Sequence, residues 1–260
     1  MLNRLALLRP ALLRPVGAAV ALAMAVAACT NAPVTGRRQL ILLPESQAEQ
    51  MGVEAYRQIK SEKGVSNDPR YTGPVNEIGR RIAEVSGQPS LPWEFTVFQD
   101  DEPNAFALPG GKVGVNTGLF KVARTDAQLA AVMAHEVGHA IAKHSAERVS
   151  RQAVVQFGQQ ALGAQFPAMT DLFSQAATLG LILPFTRDQE TEADQIGLML
   201  MARAGYDPRA AIELWRNFEA AGGSRPPEFL STHPSPGSRI KNLQAQMPKA
   251  LAEYEHSRYR

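Results

Sequence analysis

The sequence is poor in cysteine, with one such residue among 260, and its first 28 residues contain no acidic side chain. A single cysteine excludes an internal disulfide and any cysteine-rich zinc or iron–sulfur site. Without residues 1–28, which contribute three arginines, 24 basic side chains face 25 acidic ones. The remaining chain has no surplus of positive charge for binding nucleic acid, so we expect no nucleic-acid partner.

A nucleotide-binding loop is also missing. Gly110-Gly111-Lys112 lacks the glycine that a phosphate-binding loop requires five residues before its Gly-Lys pair. We therefore expect no nucleotide partner. Apolar residues nevertheless make up 45% of the chain and charged ones 20%, which is enough for a sizeable core in one or two domains.

The N-terminus has the features of a secretory signal. Three early arginines precede an uncharged run from Val16 to Ala28, whose 13 residues fall short of the roughly 20 that a spanning helix needs. The run ends in Val26-Ala27-Ala28-Cys29, which resembles the cleavage motif of bacterial lipoprotein precursors. An ordinary secretory signal with a chance cysteine nearby is the alternative.

We predict a lipoprotein signal peptide over residues 1–28 and a lipidated tether over residues 29–43, anchored through Cys29. Two or more acyl chains would hold the protein stably on a bilayer. Thr30 stands where an aspartate commonly marks retention in the inner membrane. The expected location is therefore the outer membrane, with the domain facing the periplasm.

Hydrophobic periodicity predicts a single α+β domain over residues 44–260, mainly helical with a small antiparallel sheet. Residues 93–98 alternate as a strand, and residues 106–115 predict two short strands around a tight turn. A short helix and loops over a groove are expected at 161–184, and a proline-rich loop at 226–238. The predicted helices span residues 46–63, 74–87, 126–157, 187–204, 208–221 and 239–255.

The longest predicted helix contains His135-Glu136-Val137-Gly138-His139. At 3.6 residues per turn, His135 and His139 share one face and can reach one metal ion, with Glu136 beside them to hold a water. A pair of histidines without a metal in an ordinary helix is the alternative. His144 would lie half a turn from that face in a continuous helix, so we expect it to point away as a solvated or capping residue.

A catalytic zinc site needs a third protein ligand and an open fourth position. Glu190 and Asp194 lie four residues apart on one face of a later predicted helix, whereas Glu192 faces elsewhere. Spacing alone does not decide between Glu190 and Asp194. An acidic helix start, favoured by the helix dipole, is the alternative without a metal.

Together these residues resemble metallopeptidase family 48, whose members are gluzincin zinc endopeptidases, and in particular its periplasmic lipoprotein branch. The resemblance extends over roughly residues 30–245 and implies a zincin-like metalloprotease domain with one Zn²⁺ per chain. It also implies that Glu190 is the third zinc ligand and that Asp194 orients a zinc histidine. The motifs that carry it are His135-Glu136-x-x-His139, Glu190-x-x-x-Asp194, Thr232-His233-Pro234 with Arg239, and residues 31–39, 104–111 and 117–119.

The resemblance further implies that His233 and Arg239 belong to the catalytic cleft. His233 could stabilise the oxyanion during turnover or occupy the fourth zinc position and silence the enzyme. Both roles stay open, and without the family His233 would be assigned as a loop histidine. An edge strand within 106–115 could pair an extended substrate, or this hairpin could merely support the helix.

We predict a zinc metalloendopeptidase in which Glu136 is the base. Its expected substrates are misfolded or unassembled periplasmic and outer-membrane proteins, cleaved without ATP. The other partner is the membrane, reached through Cys29. The alternative is a zinc-binding periplasmic chaperone or assembly factor with a latent protease site.

Overall fold

A computed structural model describes residues 29–161, 184–221, 227–233 and 237–260. The predicted signal peptide and nearly all of the predicted groove segment at 161–184 lie outside these residues. The strands are β1 (Cys29–Asn31), β2 (Arg38–Leu40), β3 (Glu94–Phe98), β4 (Ala105–Leu108) and β5 (Lys112–Asn116). The helices are α1 (Glu45–Glu62), α2 (Pro69–Val85), α3 (Asp126–Ile141), α4 (His144–Ala161), α5 (Arg187–Arg203), α6 (Ala210–Ala221), α7 (Glu228–Thr232) and α8 (Arg239–Glu255).

The mainly helical α+β class predicted from the sequence is confirmed. The larger sheet has the strand order β3-β5-β4, with β4 antiparallel to β5 as the predicted hairpin requires. Gly110 and Gly111 form its turn at φ values of +81° and +73°, which favour glycine. β3 pairs with β5 in parallel, so the sheet is mixed and not purely antiparallel.

Helix α3 lies at the centre of the core because its own residues are buried on nearly every side of the helix. The Thr125 side chain begins the helix by accepting a hydrogen bond from the backbone N–H of Gln128. Helices α2, α5 and α6 and strand β4 all pack against α3. The buried position of α3 removes His135, Glu136 and His139 from bulk water.

The crossing of α3 and α5 depends on two glycines. A Cβ atom at Gly197 would lie 2.8 Å from the backbone nitrogen of His135, and one at Gly138 would lie 3.0 Å from the carbonyl oxygen of Ala193. Real Cβ atoms hardly ever approach backbone atoms this closely. The glycines therefore allow the two helices to approach at the level of the histidine motif.

The predicted helix at 126–157 is wrong in one respect, because the structure divides it into α3 and α4. Ala142 ends α3, and Lys143 adopts a positive φ of 57° before His144 begins the next helix. Such a left-handed residue after a helix is usually glycine. Because lysine is not a typical residue for this conformation, the sequence does not indicate the break.

Helix α2 begins five residues before the predicted start near Pro74. The side chain of Asp68 accepts a hydrogen bond from the backbone N–H of Arg70, and Pro69 occupies the first helical turn. This pair is a stronger start signal than Pro74, which lies inside the helix. The remaining predicted helices agree with the structure to within two residues at each end, and the short α7 lies within the predicted loop at 226–238.

Residues 29–43, predicted as a tether, are here called the N-terminal strap. Strands β1 and β2 of the strap pair with each other, and Leu43 packs with Ala146 and Val149 of α4. The strap is therefore docked on the domain. The prediction of a tether did not include this contact. Within the residues that the structure describes, no helix has both the length and the apolar character needed to cross a membrane.

Candidate metal centre

Four buried side chains converge where α3, α5 and the end of α7 meet: His135, His139, Glu190 and His233. One potential ligand atom from each lies within 4.8 Å of the others. The histidines of α3 share a face because four residues separate them. Glu190 is placed in the first turn of α5 by a capping box, in which Thr186 and Gln189 satisfy each other's backbone N–H groups.

The separations between these atoms match those expected around a tetrahedral zinc ion. Bonds of 2.0–2.1 Å place tetrahedral ligand atoms about 3.3 Å apart. The Nε2 atoms of His135 and His139 are 3.0 Å apart, and His139 Nε2 lies 3.3 Å from Glu190 Oε1. His233 Nδ1 lies 3.1 Å from Glu190 Oε1 and 3.3 Å from His135 Nε2. Three imidazoles and a carboxylate are also a suitable ligand set for zinc, so the residues fit this ion.

The protonation of the group suits a cation. Burial lowers the pKa of His139 and of His233, so both imidazoles are neutral and keep a lone pair for a metal. Burial alone would raise the pKa of Glu190, but the neighbouring imidazoles of His139 and His233 outweigh it and hold the pKa well below its usual range. The centre thus combines neutral nitrogens with an ionised oxygen.

Asp194 and Arg239 lie behind the converging atoms. Asp194 Oδ1 is 3.0 Å from His135 Nδ1, the ring nitrogen opposite the one that faces the centre. Arg239 donates to Asp194 at 2.7 Å, forms an ion pair with Glu190 at 2.9 Å and lies over the Trp215 ring at 3.5 Å. The buried Arg239 therefore contacts both carboxylates, which is the position of a group that orients them.

Glu136 lies beside the centre with one carboxylate oxygen available. Its Oε1 is buried, makes no hydrogen bond within the described parts of the chain and lies 3.4 Å from His233 Nε2. Burial raises the pKa of the Glu136 carboxyl to about 8, although the neighbouring His135 and a hydrogen bond from the backbone N–H of Ala107 act in the opposite direction. Such a group can take and return a proton near neutral pH.

The expectation that His144 is a solvated residue is wrong. It is fully buried, and its Nδ1 lies 2.8 Å from Nδ1 of His139. The prediction assumed one continuous helix, and the turn at Lys143 changes the direction in which His144 points. His144 remains outside the converging group, since it contacts the opposite nitrogen of His139.

Phe185 is a further residue that the sequence analysis did not identify. Its ring stacks on His139 at a centroid distance of 3.8 Å, and the Arg148 guanidinium lies 3.9 Å from the centre of the same ring. Nothing in the local sequence marks Phe185, which comes from outside the histidine helix. Its contact restricts the ring orientation of His139 from the side.

Residues 69–247 match Peptidase family M48. The mitochondrial metalloendopeptidase OMA1 of Schizosaccharomyces pombe is 39% identical to this chain over 230 residues, which cover 86% of this chain and 68% of the relative. The enzyme of the same name from Arabidopsis thaliana is 44% identical over 175 residues, 66% of this chain and 36% of the relative.

A bacterial relative is the beta-barrel assembly-enhancing protease of Escherichia coli. It is 36% identical over 207 residues, which cover 75% of this chain and 42% of the relative. The chain thus spans about two thirds of the fission-yeast relative and less than half of the Arabidopsis and Escherichia coli proteins. The family match over residues 69–247 includes the positions of the motif helix, of both carboxylates and of His233.

Proposed function

This chain belongs to peptidase family M48 and is a zinc metalloendopeptidase, and we propose that it cleaves misfolded or unassembled proteins of the cell envelope without ATP. In this proposal His135, His139 and Glu190 are the zinc ligands. Glu136 is the general base, and Asp194 and Arg239 orient the ligands. The observation that carries the proposal is the convergence of four buried ligand atoms beside the open oxygen of Glu136.

The chemistry follows from where the side chains lie. Zinc, when bound, supplies Lewis-acid activation of water and of the scissile carbonyl. Glu136 accepts the proton of the attacking water and passes it to the nitrogen of the leaving amine. Burial raises the pKa of Glu136 to about 8, which makes its carboxylate a stronger acceptor for this proton. The buried surroundings also limit competition from bulk water.

Strand β4 is placed to bind an extended substrate. It lies at the edge of its sheet and packs against α3, which carries Glu136. The backbone N–H of Ala107 in this strand already donates to the Glu136 carboxylate. A substrate strand added beside β4 would bind through main-chain hydrogen bonds and leave most of its side chains unread. Such binding suits unfolded segments of varied sequence.

Two observations support the cell envelope as the site of action. The Escherichia coli relative is named for enhancing β-barrel assembly. The first 28 residues have the pattern of a lipoprotein signal, and Cys29 follows them as an exposed residue. We therefore propose residues 29–43 as a lipidated segment on the outer membrane and residues 44–260 as the peptidase domain in the periplasm. The OMA1 relatives are named as mitochondrial proteins, so they do not support the envelope assignment. That assignment rests on this chain's own N-terminus and on the Escherichia coli relative.

A second candidate function is that of a zinc-binding chaperone or assembly factor with a latent protease site. His233 favours it, because its Nδ1 lies among the three proposed ligand atoms. A catalytic zinc site keeps its fourth position for water or substrate.

For the enzyme, we propose that the arrangement with His233 among the ligand atoms is the resting form. His233 must then withdraw from the centre before cleavage.

The first experiment measures metal content and proteolysis on the full-length protein in detergent. We expect one zinc per chain and cleavage of casein that a chelator abolishes. The cleavage of one test protein should then be compared between its folded and its unfolded form, with no ATP present. We expect only the unfolded form to be cut. Bound zinc without any cleavage would favour the chaperone, and equal cleavage of folded protein would remove the proposed substrate class.

His233→Ala separates the two roles of this histidine. If His233 blocks the centre, removing its side chain should raise casein cleavage at unchanged zinc content. If it stabilises the oxyanion, cleavage should fall by about 10²–10³-fold, as removal of one such donor does elsewhere. The exposed His256 offers a matched control through His256→Ala, which should change neither quantity.

A further inference from the structure

The N-terminal strap reaches a carboxylate that faces away from the proposed zinc ligands. Thr35 Oγ1 and Arg37 Nε both donate to Glu192 in α5. The remaining nitrogens of Arg37 donate to Glu147 in α4 at 3.0 and 2.7 Å. Both carboxylates are buried. One arginine of the strap therefore joins α4 to α5 through ion pairs with two buried carboxylates.

Glu192 is in turn connected to the metal centre. Its Oε2 lies 3.0 Å from Nε2 of His144, and Nδ1 of His144 lies 2.8 Å from Nδ1 of His139. The other ring nitrogen of His139 is the one that lies 3.0 Å from His135 and 3.3 Å from Glu190. An unbroken line of contacts thus runs from the strap through Glu192 and His144 to His139.

The chemistry of these groups fixes the position of each proton. A carboxylate only accepts, so Nε2 of His144 must carry the hydrogen that Glu192 binds. A neutral His144 then has a bare Nδ1, which can accept a hydrogen bond from Nδ1–H of His139. His139 is left with its lone pair on Nε2, the atom that faces the centre. The carboxylate sets the tautomer of two histidines in succession.

We infer that Glu192 and His144 are positioning residues for the zinc centre, and that the N-terminal strap completes this arrangement through Thr35 and Arg37. The inference rests on the proposed zinc site. His135 receives its outer hydrogen bond directly from Asp194, whereas His139 receives one through an intervening histidine. Because the strap begins at Cys29, the segment next to the proposed anchor takes part in shaping the metal centre.

Glu192→Gln and His144→Phe test the inference on the full-length protein in detergent. Zinc affinity is measured by competition with a chromogenic chelator, and the ligand geometry by visible absorption of the cobalt(II)-substituted protein. Loss of an outer partner of a metal-bound histidine weakens binding by about 10–100-fold. We expect a loss of that order and a shifted cobalt spectrum in both variants, with a smaller change in Arg37→Gln.

Two controls separate positioning from general stability. Glu147→Gln removes the other partner of Arg37 but leaves the contact between Glu192 and His144 in place. Arg38→Gln changes an exposed arginine of the same strap. Both controls should keep the wild-type zinc affinity and cobalt spectrum, whatever they do to the melting temperature.

Unchanged zinc affinity and cobalt spectra in Glu192→Gln and His144→Phe would overturn the inference. Equal changes in Glu192→Gln and Glu147→Gln would also overturn it, because they would assign the strap to stability alone. Should Glu192→Gln fail to fold, His144→Phe decides, since it leaves every charged group of the strap intact. A wild-type chain that binds no zinc would overturn the proposed function itself, whereas a zinc-binding wild type with unaffected variants overturns only this inference.

Discussion

Glu136 combines a buried position with a partner-free oxygen on the side of the converging ligands. Burial raises its pKa to about 8, while the neighbouring His135 and the N–H of Ala107 limit the rise. Its Oε1 remains without a hydrogen bond among the described residues. A buried polar atom of this kind costs stability unless water or a ligand satisfies it. The position therefore suits a working acid–base group better than a structural one.

Replacing Glu136 by Gln should leave the fold and the zinc content unchanged and reduce casein cleavage by about 10²–10⁴-fold, the usual contribution of a general base. The amide has nearly the same shape but cannot accept the proton. Cleavage rate, metal content and melting temperature should be measured together. Glu54→Gln changes an exposed glutamate and should behave as the wild type; substantial proteolysis by Glu136→Gln would assign the base elsewhere.

Glu190 and Asp194 are one helical turn apart but make different contacts. Glu190 lies 3.3 Å from Nε2 of His139, whereas Asp194 lies 3.0 Å from Nδ1 of His135. The first contact is with the atom that faces the centre and the second with the opposite side of a ring. This geometry supports the proposal that Glu190 binds the metal and that Asp194 orients a ligand.

Glu190→Gln should therefore weaken zinc binding more than Asp194→Asn does, for which a loss of about 10–100-fold is expected. Chelator competition gives both affinities. Asp188→Asn, at an exposed position in the first turn of the same helix, is the matched control and should bind zinc normally. A larger loss in Asp194→Asn than in Glu190→Gln would exchange the two roles.

At the level of helices, the crossing of α3 and α5 sets the distance between the histidine motif and the acidic residues. The two helices approach closely at Gly197, because a Cβ there would meet the backbone nitrogen of His135 at 2.8 Å and its Cα at 2.9 Å. Backbone atoms cannot rotate aside as a side chain can. Any side chain at this position must move one helix relative to the other.

Gly197→Ala should lower the free energy of unfolding by about 1–3 kcal/mol, the usual cost of overpacking, and weaken zinc binding as well. Denaturant unfolding and chelator competition measure the two effects. Gly73→Ala is the control, since nothing lies within 4 Å of a Cβ built there. Because Gly73 lies within a helix, Gly73→Ala should leave the free energy of unfolding unchanged or raise it by about 0.5–1 kcal/mol. Normal zinc affinity in Gly197→Ala would show that the centre tolerates a change in helix separation.

The turn at Lys143 explains one limit of sequence analysis. Periodicity places His135 and His139 on one face because α3 is continuous between them. It fails for His144, because the positive φ of Lys143 interrupts the helix before that residue. Angular arguments hold only within an unbroken helix, and a lysine in a left-handed conformation carries no local signal of the break.

At the scale of the whole molecule, the strap connects the proposed anchor to the domain. Arg37, which binds Glu147 and Glu192, lies only eight positions after Cys29. If Cys29 carries the acyl chains, the domain is held close to the membrane surface and not at the end of a long linker. The short connection limits how far the cleft can move from the bilayer.

Cys29→Ala should release the protein from the membrane fraction while the purified domain keeps its zinc, because the proposed acylation site lies outside the metal centre. Cell fractionation and metal analysis check the two expectations. Thr30→Ala, which leaves the acceptor thiol in place, should stay with the membrane. Continued membrane association of Cys29→Ala would contradict lipid anchoring at this position.

Local sequence alone determined the helix around His135 and His139, their common face, the hairpin at 106–115 and the mainly helical class. These features depend on residues within a few turns of one another, where period and capping act directly. The family resemblance read from the sequence is confirmed by the match over residues 69–247. It predicted zinc and peptidase chemistry before any geometry was known.

Tertiary structure decided what lies around that helix. Which carboxylate meets the inner side of the histidines, where His233 comes to lie, and how the strap reaches Glu192 depend on contacts between residues 43 to 157 positions apart. Periodicity gives the face of a helix but not the partner or the distance across it. Those follow from the close crossing at Gly197 and from the turn at Lys143, which packing of the whole chain sets.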